Sequence, residues 1–420
     1  MRHTFHLKTL AVAIATLSVA SVASAAGLDR SGQDITAFLQ DGTYAEAVYT
    51  YIDADVTGHD NAYIGSDNKA YTQGKKIDDI AESYDFFRYG VKADINETFS
   101  VGVLYDEPFG AAADYSGDNN FVDQNPASPR NGEGTNVEVR TESITGIIGA
   151  KFGENKNFQV YGGPVAQRVK ADVKLRGTAY SAANGYTLHT SADQDYGYIA
   201  GIAYSKPEIA LKAALTYRSE IEHNAKSSEI YPVVGTGTIP DPIESALGLS
   251  TDRNDSIEIT TPKSVNFDFQ TGINPTTLAT AKVRWVPWSD FAIVPSLYND
   301  VSKVSTRDDK GLALVSYDED QWQVELGLAK RVAPALAISG TVGWDSGAGN
   351  PVSSLGPIEG YYSAGLGAKY NVTENWAVSA GGKYLWFGDA EGQIPTQKIV
   401  SDFESNDGFV LGVKVSYQAQ

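Results

Sequence analysis

The 420-residue sequence predicts an all-β fold, a transmembrane antiparallel up-and-down β-barrel of about fourteen strands. Three features lead there. From residue 44 onward, segments of period-two alternation are joined in turn by a very short connector and a long polar one, the pattern of tight periplasmic turns and long outer loops. After the N-terminal region no run of about 18 apolar residues occurs, so helical spans are excluded and a closed barrel remains the way to satisfy backbone hydrogen bonds in lipid. Aromatic residues gather at both ends of the alternating segments, where the two membrane interfaces favour them.

The elements run in chain order. Residues 1–25 read as a secretory signal: Arg2 and Lys8, an apolar core over 10–22, and Ala23-Ser24-Ala25 as the cleavage site. The alternating segments are 44–57, 83–95, 98–106, 137–152, 157–175, 194–205, 208–221, 263–273, 277–287, 321–331, 335–344, 359–370, 374–387 and 407–417. One face carries residues such as Phe87, Tyr89 and Val91, then Leu326 and Leu328, then Leu411, Val413 and Val415, the lipid-facing candidates. The other carries Arg88, Lys92, Lys212, Arg218, Asp268 and Lys414, the lumenal candidates. Gly162-Gly163-Pro164 suggests a bulge in the fifth strand, because proline cannot donate to a ladder. Stretch 291–318 reads either as strand extension or as an outer hairpin.

The aromatic ends form two rings. Beside the short turns stand Phe99, Phe152, Tyr204, Tyr370, Trp376 and Tyr417, and beside the long loops Tyr105, Tyr217, Trp285, Trp322, Trp344 and Trp386. The formal charge of −19 disfavours nucleic acid as a partner. There is no cysteine for disulfides or thiolate metal sites. At 42% hydrophobic residues the chain is too polar for a helical membrane protein but suits a barrel, of which one face meets lipid.

Several short motifs resemble the outer-membrane FadL-type transporters of long-chain fatty acids and other hydrophobic compounds. They are Lys282-Val283-Arg284-Trp285-Val286-Pro287-Trp288-Ser289-Asp290-Phe291, similar to the family's Trp-x-x-Trp-Ser-x-Phe segment, and Pro262-Lys263-Ser264-Val265 with the Asn274-Pro275 turn. Trp322-Gln323-Val324-Glu325-Leu326-Gly327, Ser363-Ala364-Gly365-Leu366-Gly367 and Tyr384-Leu385-Trp386-Phe387 continue in the family's order, and residues 51–58 are similar to its first strand. The resemblance implies a fourteen-stranded barrel plugged by an N-terminal hatch, here 26–43, inside a barrel domain of 44–420. It also implies a hydrophobic groove on the outer loops, a deeper lumenal pocket, and release through a gap near the third strand. Two positions depart from the pattern: the hatch lacks Asn-Pro-Ala, which appears instead at 125–127, and Tyr417 is succeeded by Gln418-Ala419-Gln420 rather than a terminal aromatic.

On this basis the expected function is passive outer-membrane transport of long-chain fatty acids or similar hydrophobic molecules, with capture by the outer loops, binding in the lumen, and lateral or plug-gated release. Ile230, Tyr231, Val233, Val234, Ile243, Leu247 and Leu249 are apolar within the polar connector 222–262, with a short helix over 243–249. They line an outer groove or pack among the loops. Lys282, Arg284, Arg168 and Lys170 are read as inward cations, either binding a carboxylate headgroup or joined in ion pairs with Asp172, Glu138, Glu142 and Asp268. In the plug, Asp29, Arg30, Phe38 and Leu39 are the gate candidates, with Asp34 starting a helix of one to two turns. The surroundings are outer-membrane lipid and lipopolysaccharide, the protein is expected to be a monomer, and no cofactor is implied.

Other classes fit less well. Beyond the signal only His59, His189 and His223 remain, all in or beside long connectors, which is poor material for a Ser-His or zinc mechanism. Asp78-Asp79 and Asp318-Glu319-Asp320 read as solvated acidic faces rather than calcium sites. The stronger alternative is a general diffusion porin for small polar solutes, which would have a water-filled lumen and no plug.

Overall fold

The computed structural model describes residues 28–63 and 71–419, so the signal segment lies outside the described residues. Among the described residues fourteen antiparallel strands close on themselves. They are β1 (Thr43–Asp55), β2 (Tyr84–Asp94), β3 (Phe99–Asp106), β4 (Asn136–Phe152), β5 (Phe158–Lys174), β6 (Asp193–Lys206), β7 (Leu211–Arg218), β8 (Ser264–Asn274), β9 (Thr277–Val286), β10 (Gln321–Ala333), β11 (Leu336–Asp345), β12 (Glu359–Asn371), β13 (Trp376–Gly388) and β14 (Asp407–Ala419). The last strand pairs with the first from Thr43↔Ala419 to Asp55↔Asp407, which removes the free edge. Side-chain oxygens close the tight turns: Asn96 Oδ1 accepts from the N–H groups of Thr98 and Phe99, and Asn274 Oδ1 from that of Thr276.

The two faces separate as the alternation predicts. Phe87, Val91, Leu326, Leu328, Leu411 and Val413 are exposed, while Arg88, Lys92, Arg218 and Lys414 are buried inside. Neighbouring ring residues meet at a tilt along the wall, with Trp376–Tyr417 centroids 5.1 Å apart near the turns and Trp285–Trp322 6.4 Å apart near the loops. From Trp376 to Trp386 at about 3.3 Å per residue the chain covers ~33 Å, which at the usual strand tilt of ~40° gives a band about 25 Å tall.

Above that band the polarity inverts. On β4 the outward residues change from Ile148 and Ile144 to Glu142, Arg140 and Glu138, and on β5 from Val160 and Ala166 to Arg168 and Lys170. The inward residues at this level are Val137, Val139, Val169, Ala171 and Val173, all buried in the large core beneath the loops. The boundary falls between the register pairs Ile144↔Ala166 and Glu142↔Arg168. Here the wall stands in water and folds like one sheet of a soluble protein. The register is kept across Gly162-Gly163-Pro164, although the ladder to β4 lapses at Gly163 and Pro164, so no bulge forms in β5. The close approach there is met by glycine instead, since a Cβ on Gly163 would lie 1.9 Å from the Gly146 carbonyl.

The outer loops form a lid. Gly58–Asn61, Gln73–Ile77, Val352–Ser353, Ala390–Gln393 and Ile399–Phe403 make a five-stranded sheet. The hairpin Ile221–Ile230/Asp252–Thr261 continues the wall upward and pairs with Thr187–Thr190. Residues 291–318 form an outer hairpin, with Ala292–Ile293 paired to Val315–Ser316 around the helix Ser296–Thr306. A carboxylate from the neighbouring loop caps that helix. Glu229 accepts from the N–H groups of Leu297 (3.0 Å) and Tyr298 (2.9 Å) and from the Tyr186 hydroxyl (2.9 Å).

Candidate functional site: hatch, wall gap and apolar cavity

Residues 28–42 run through the barrel interior, tied at each step to inward side chains. Asp34 Oδ1 accepts from the Thr36 N–H at 2.7 Å, but the chain then makes a series of turns, Phe38 N to Ile35 O and Gln40 N to Ala37 O, rather than the expected helix. The barrel anchors the segment through its backbone carbonyls. Lys92 donates to Gln40 O (2.7 Å) and Gly42 O (2.9 Å), Lys212 donates to Leu39 O, and Asn266 donates to Gly32 O (2.8 Å). Phe38 and Leu39 are buried against β3, β4 and β5, with the Phe38 ring 5.7 Å from that of Tyr161. The Phe38 ring fits because the wall is glycine there: a Cβ on Gly102 or Gly149 would come within 2.7 or 2.9 Å of it.

The four cations singled out from sequence divide into two pairs. Lys282 and Arg284 do face the lumen, and their partners are the hatch's own acids. Arg284 grips Asp29 at two points (2.6 and 3.0 Å), and Lys282 binds Asp34 at 2.7 Å with Asp268 at 3.6 Å. Arg168 and Lys170 are not inward. They project outward from the raised part of β5, where Arg168 faces Glu142 at 3.8 Å and Lys170 faces Asp172 at 2.8 Å. Polar residues mark the lumenal face only within lipid, and these two lie above it. Beside the hatch remains a space bordered by the charged residues Asp34, Asp268, Lys282, Glu325 and Lys383. In it Lys383 pairs with Glu325.

The wall is interrupted where β3 meets the hatch. Between the pairs Asp106↔Ser143 and Gly110↔Arg140, the third strand has three residues, Glu107, Pro108 and Phe109, against two on β4, Thr141 and Glu142. The extra residue is a bulge that bends the chain out of the ladder. On β2 only Tyr89–Asp94 pair with β3, so among the described residues no strand lies along Tyr84–Arg88 on that side. The hatch fills the gap from within. Arg30 donates its N–H to Pro108 O at 2.8 Å, Gly110 donates to Leu28 O at 2.7 Å, and the Arg30 guanidinium lies 4.1 Å above the Tyr84 ring. Gly110 makes room for it, since a Cβ there would stand 2.4 Å from Arg30 Cζ.

A small apolar cavity adjoins this gap. Leu28, Phe109, Val139, Val169, Ile259, Trp288 and Phe291 are among its walls. The hydroxyls on its border are turned to other partners, Thr141 to Phe109 O and Thr261 to Gln167 Oε1. Trp288, fully buried, meets Phe109 edge-on at 5.6 Å and Phe291 at 5.3 Å, and its indole N–H donates to Gln321 at 2.8 Å.

A hatch-filled barrel with a broken third strand and an oily cavity under its loops can be compared with known proteins. The sequence matches the family described as "Outer membrane protein transport protein (OMPP1/FadL/TodX)" over residues 34–418. The chain belongs to the FadL/TodX family. It is thus a transport protein of the Gram-negative outer membrane, in a family that handles hydrophobic compounds. The structure is similar to that of a Pseudomonas aeruginosa FadL homologue, with a TM-score of 0.70, 15% identity, and coverage of 97% of this chain and 99% of that one. It is also similar to the P. putida toluene transporter TodX (TM-score 0.58, 13% identity, 91% and 92% covered). The Ralstonia pickettii toluene transporter TbuX shares the fold too (TM-score 0.56, 11% identity, 97% and 100% covered). No curated protein matches the sequence significantly.

In this FadL/TodX-type barrel the outer apolar residues split. Tyr231 and Val234 are buried in the loop core, with Val233 and Leu249 packed against it. Ile230, Ile243 and Leu247 are exposed, at 46%, 39% and 44%. The short helix spans Asp241–Leu247 and ends at Gly248, whose positive φ of 61° stops it two residues before the expected end. The cavity walls themselves were not singled out from the sequence. Trp288 and Phe291 stood within the quoted motif, but Leu28, Phe109 and Val139 come together only through tertiary contact.

Proposed function

We propose that the protein passes hydrophobic molecules such as long-chain fatty acids across the outer membrane, holding them in the cavity beside Trp288 and releasing them sideways between β2 and β3. The observation that carries this reading is that Leu28 and Phe109 serve twice: they line the cavity and also belong to the two segments that close the gap. A molecule that pushes on the cavity wall therefore pushes on the gate. Exposed Ile230, Ile243 and Leu247 supply apolar surface at the entrance. Asp29 and Asp34, held by Arg284 and Lys282, keep the hatch seated between passages. No energy source is needed, because capture and release run down a gradient. The outward charges on the raised parts of β4 and β5 suit contact with lipopolysaccharide headgroups.

The test uses the absence of native cysteine. Ser31 Oγ donates to Asp106 Oδ2 at 3.0 Å, so a Ser31→Cys/Asp106→Cys variant can tie the hatch to the rim of the gap. Oxidised cells should lose uptake of radiolabelled oleate and regain it on reduction. Unchanged uptake with the cross-link formed would refute sideways release. A large steady conductance of the native protein in planar bilayers would favour the general porin instead.

A further inference from the structure

On the lumenal wall away from the hatch, one buried cation is left without a partner. Lys369 is 7% exposed and faces inward from β12, yet it makes no hydrogen bond or ion pair among the described residues. Its register partner across β13 is Ser379, 3% exposed, whose hydroxyl is also unpaired, and the next strand over places Lys414 opposite Ser379. Residues directly opposite in neighbouring strands point the same way with Cβ atoms about 5 Å apart. Two ammonium groups thus flank one hydroxyl on a single face. Lys414 shares its charge with Glu46 at 3.7 Å, whereas Lys369 has the small Ala337 on its other side. An uncompensated buried cation is costly, and a buried hydroxyl without a partner adds to that cost. An anion between them would give both groups a partner.

We propose that Lys369 and Ser379, with Lys414 beside them, form an anion subsite that takes the carboxylate of an apolar-tailed acid on its way through the barrel. The row leads to the gap. It continues from Lys414 through Val48 on β1 to Arg88 on β2, the first residue of β2 beyond its pairing with β3. Four strand spacings of about 4.8 Å put Lys369 roughly 19 Å from that rim along the wall. The row thus gives a carboxylate one free station while the tail occupies the passage. This rests on reading the lumen as the route and selects acids over neutral hydrocarbons as cargo.

The experiment compares binding of decanoate, decanol and acetate by the purified full-length protein in detergent, using calorimetry and the bound ¹³C-carboxyl resonance of labelled decanoate. Decanoate should bind native protein about ten-fold or more tightly than decanol, as expected for charge-assisted hydrogen bonds. Lys369→Gln should remove that margin and leave decanol unchanged. Lys369→Arg should keep most of it, and Ser379→Ala should reduce it by a smaller factor with the carboxyl resonance shifted. An equal loss for decanoate and decanol, or no loss in either Lys369→Gln or Ser379→Ala, would overturn the subsite. Acetate binding as tightly as decanoate would assign it to free small anions and overturn the cargo reading. Decanol binding and oleate uptake report separately on the proposed transport route.

Discussion

Asp29 and Arg284, 255 positions apart in the chain, meet inside the barrel through two parallel contacts of 2.6 and 3.0 Å, with the carboxylate fully buried. Breaking a buried pair from one side costs about 3–5 kcal/mol, because the other charge is stranded. Asp29→Asn should therefore loosen the hatch without dissolving the barrel. Current flickering in bilayers should rise, and cells should become more sensitive to bulky antibiotics. An unchanged current trace would mean that the pair does not hold the hatch.

Trp288 supplies the aromatic wall that the cavity shares with Phe109. Trp288→Ala should lower affinity for oleate and for toluene together by about ten-fold or more, given ~3–5 kcal/mol for deleting a buried Trp and some collapse of the space it leaves. Displacement of a fluorescent fatty acid from purified protein measures this. Equal affinities in both proteins would move the binding site elsewhere.

Leu366 is 78% exposed at the middle of β12. Arginine at a lipid-facing midplane position costs about 2–4 kcal/mol. Leu366→Arg should lower the urea midpoint for folding into bilayers accordingly, while leaving the chain's behaviour in urea alone unchanged. A neutral result would contradict the assignment of this face to lipid.

Asp300, in the loop helix, accepts from Arg253 at 2.8 Å and from Lys303 at 3.0 Å. Burial pushes its carboxyl upward, but these two donors prevail and hold it below the ordinary carboxylate range. Its contribution to loop docking is complete above the unfolded value of about 4 and is lost as pH falls through the lowered folded value. Hydrogen exchange should show the helix Ser296–Thr306 losing protection below about pH 4 before the barrel strands do. Asp300→Asn should abolish that step.

The strands were legible because within lipid the alternation has one meaning, apolar outward and polar inward, as at Phe87/Arg88 or Val413/Lys414. That meaning reverses above the membrane. Arg168 and Lys170 obey the same period as Lys282 and Arg284 but stand where water lies outside and Val169 and Ala171 pack within. Nothing local to β5 announces the crossing; only the row Ile144↔Ala166 in the assembled wall marks it. The family resemblance implied an N-terminal segment inside the barrel and a gap near the third strand. The hatch's conformation escaped the sequence because its backbone is held by side chains from distant strands, as where Lys92 and Lys212 bind the carbonyls of Gln40 and Leu39. Nor does any short window of sequence bring Leu28, Phe109 and Trp288 together, so the cavity was visible only as a motif without a place.

In the proposed sideways release, the bulge at Glu107–Phe109 would give the doorway a built-in return. Pro108 O and Gly110 N now have the hatch backbone as their partner, much as they would a strand. Were the hatch to withdraw in the proposed sideways release, a hydrocarbon tail in the opening would offer neither a donor nor an acceptor to replace it. On that proposal the empty bonds would draw the segment back once the tail had gone, so each opening would end with the passenger that caused it.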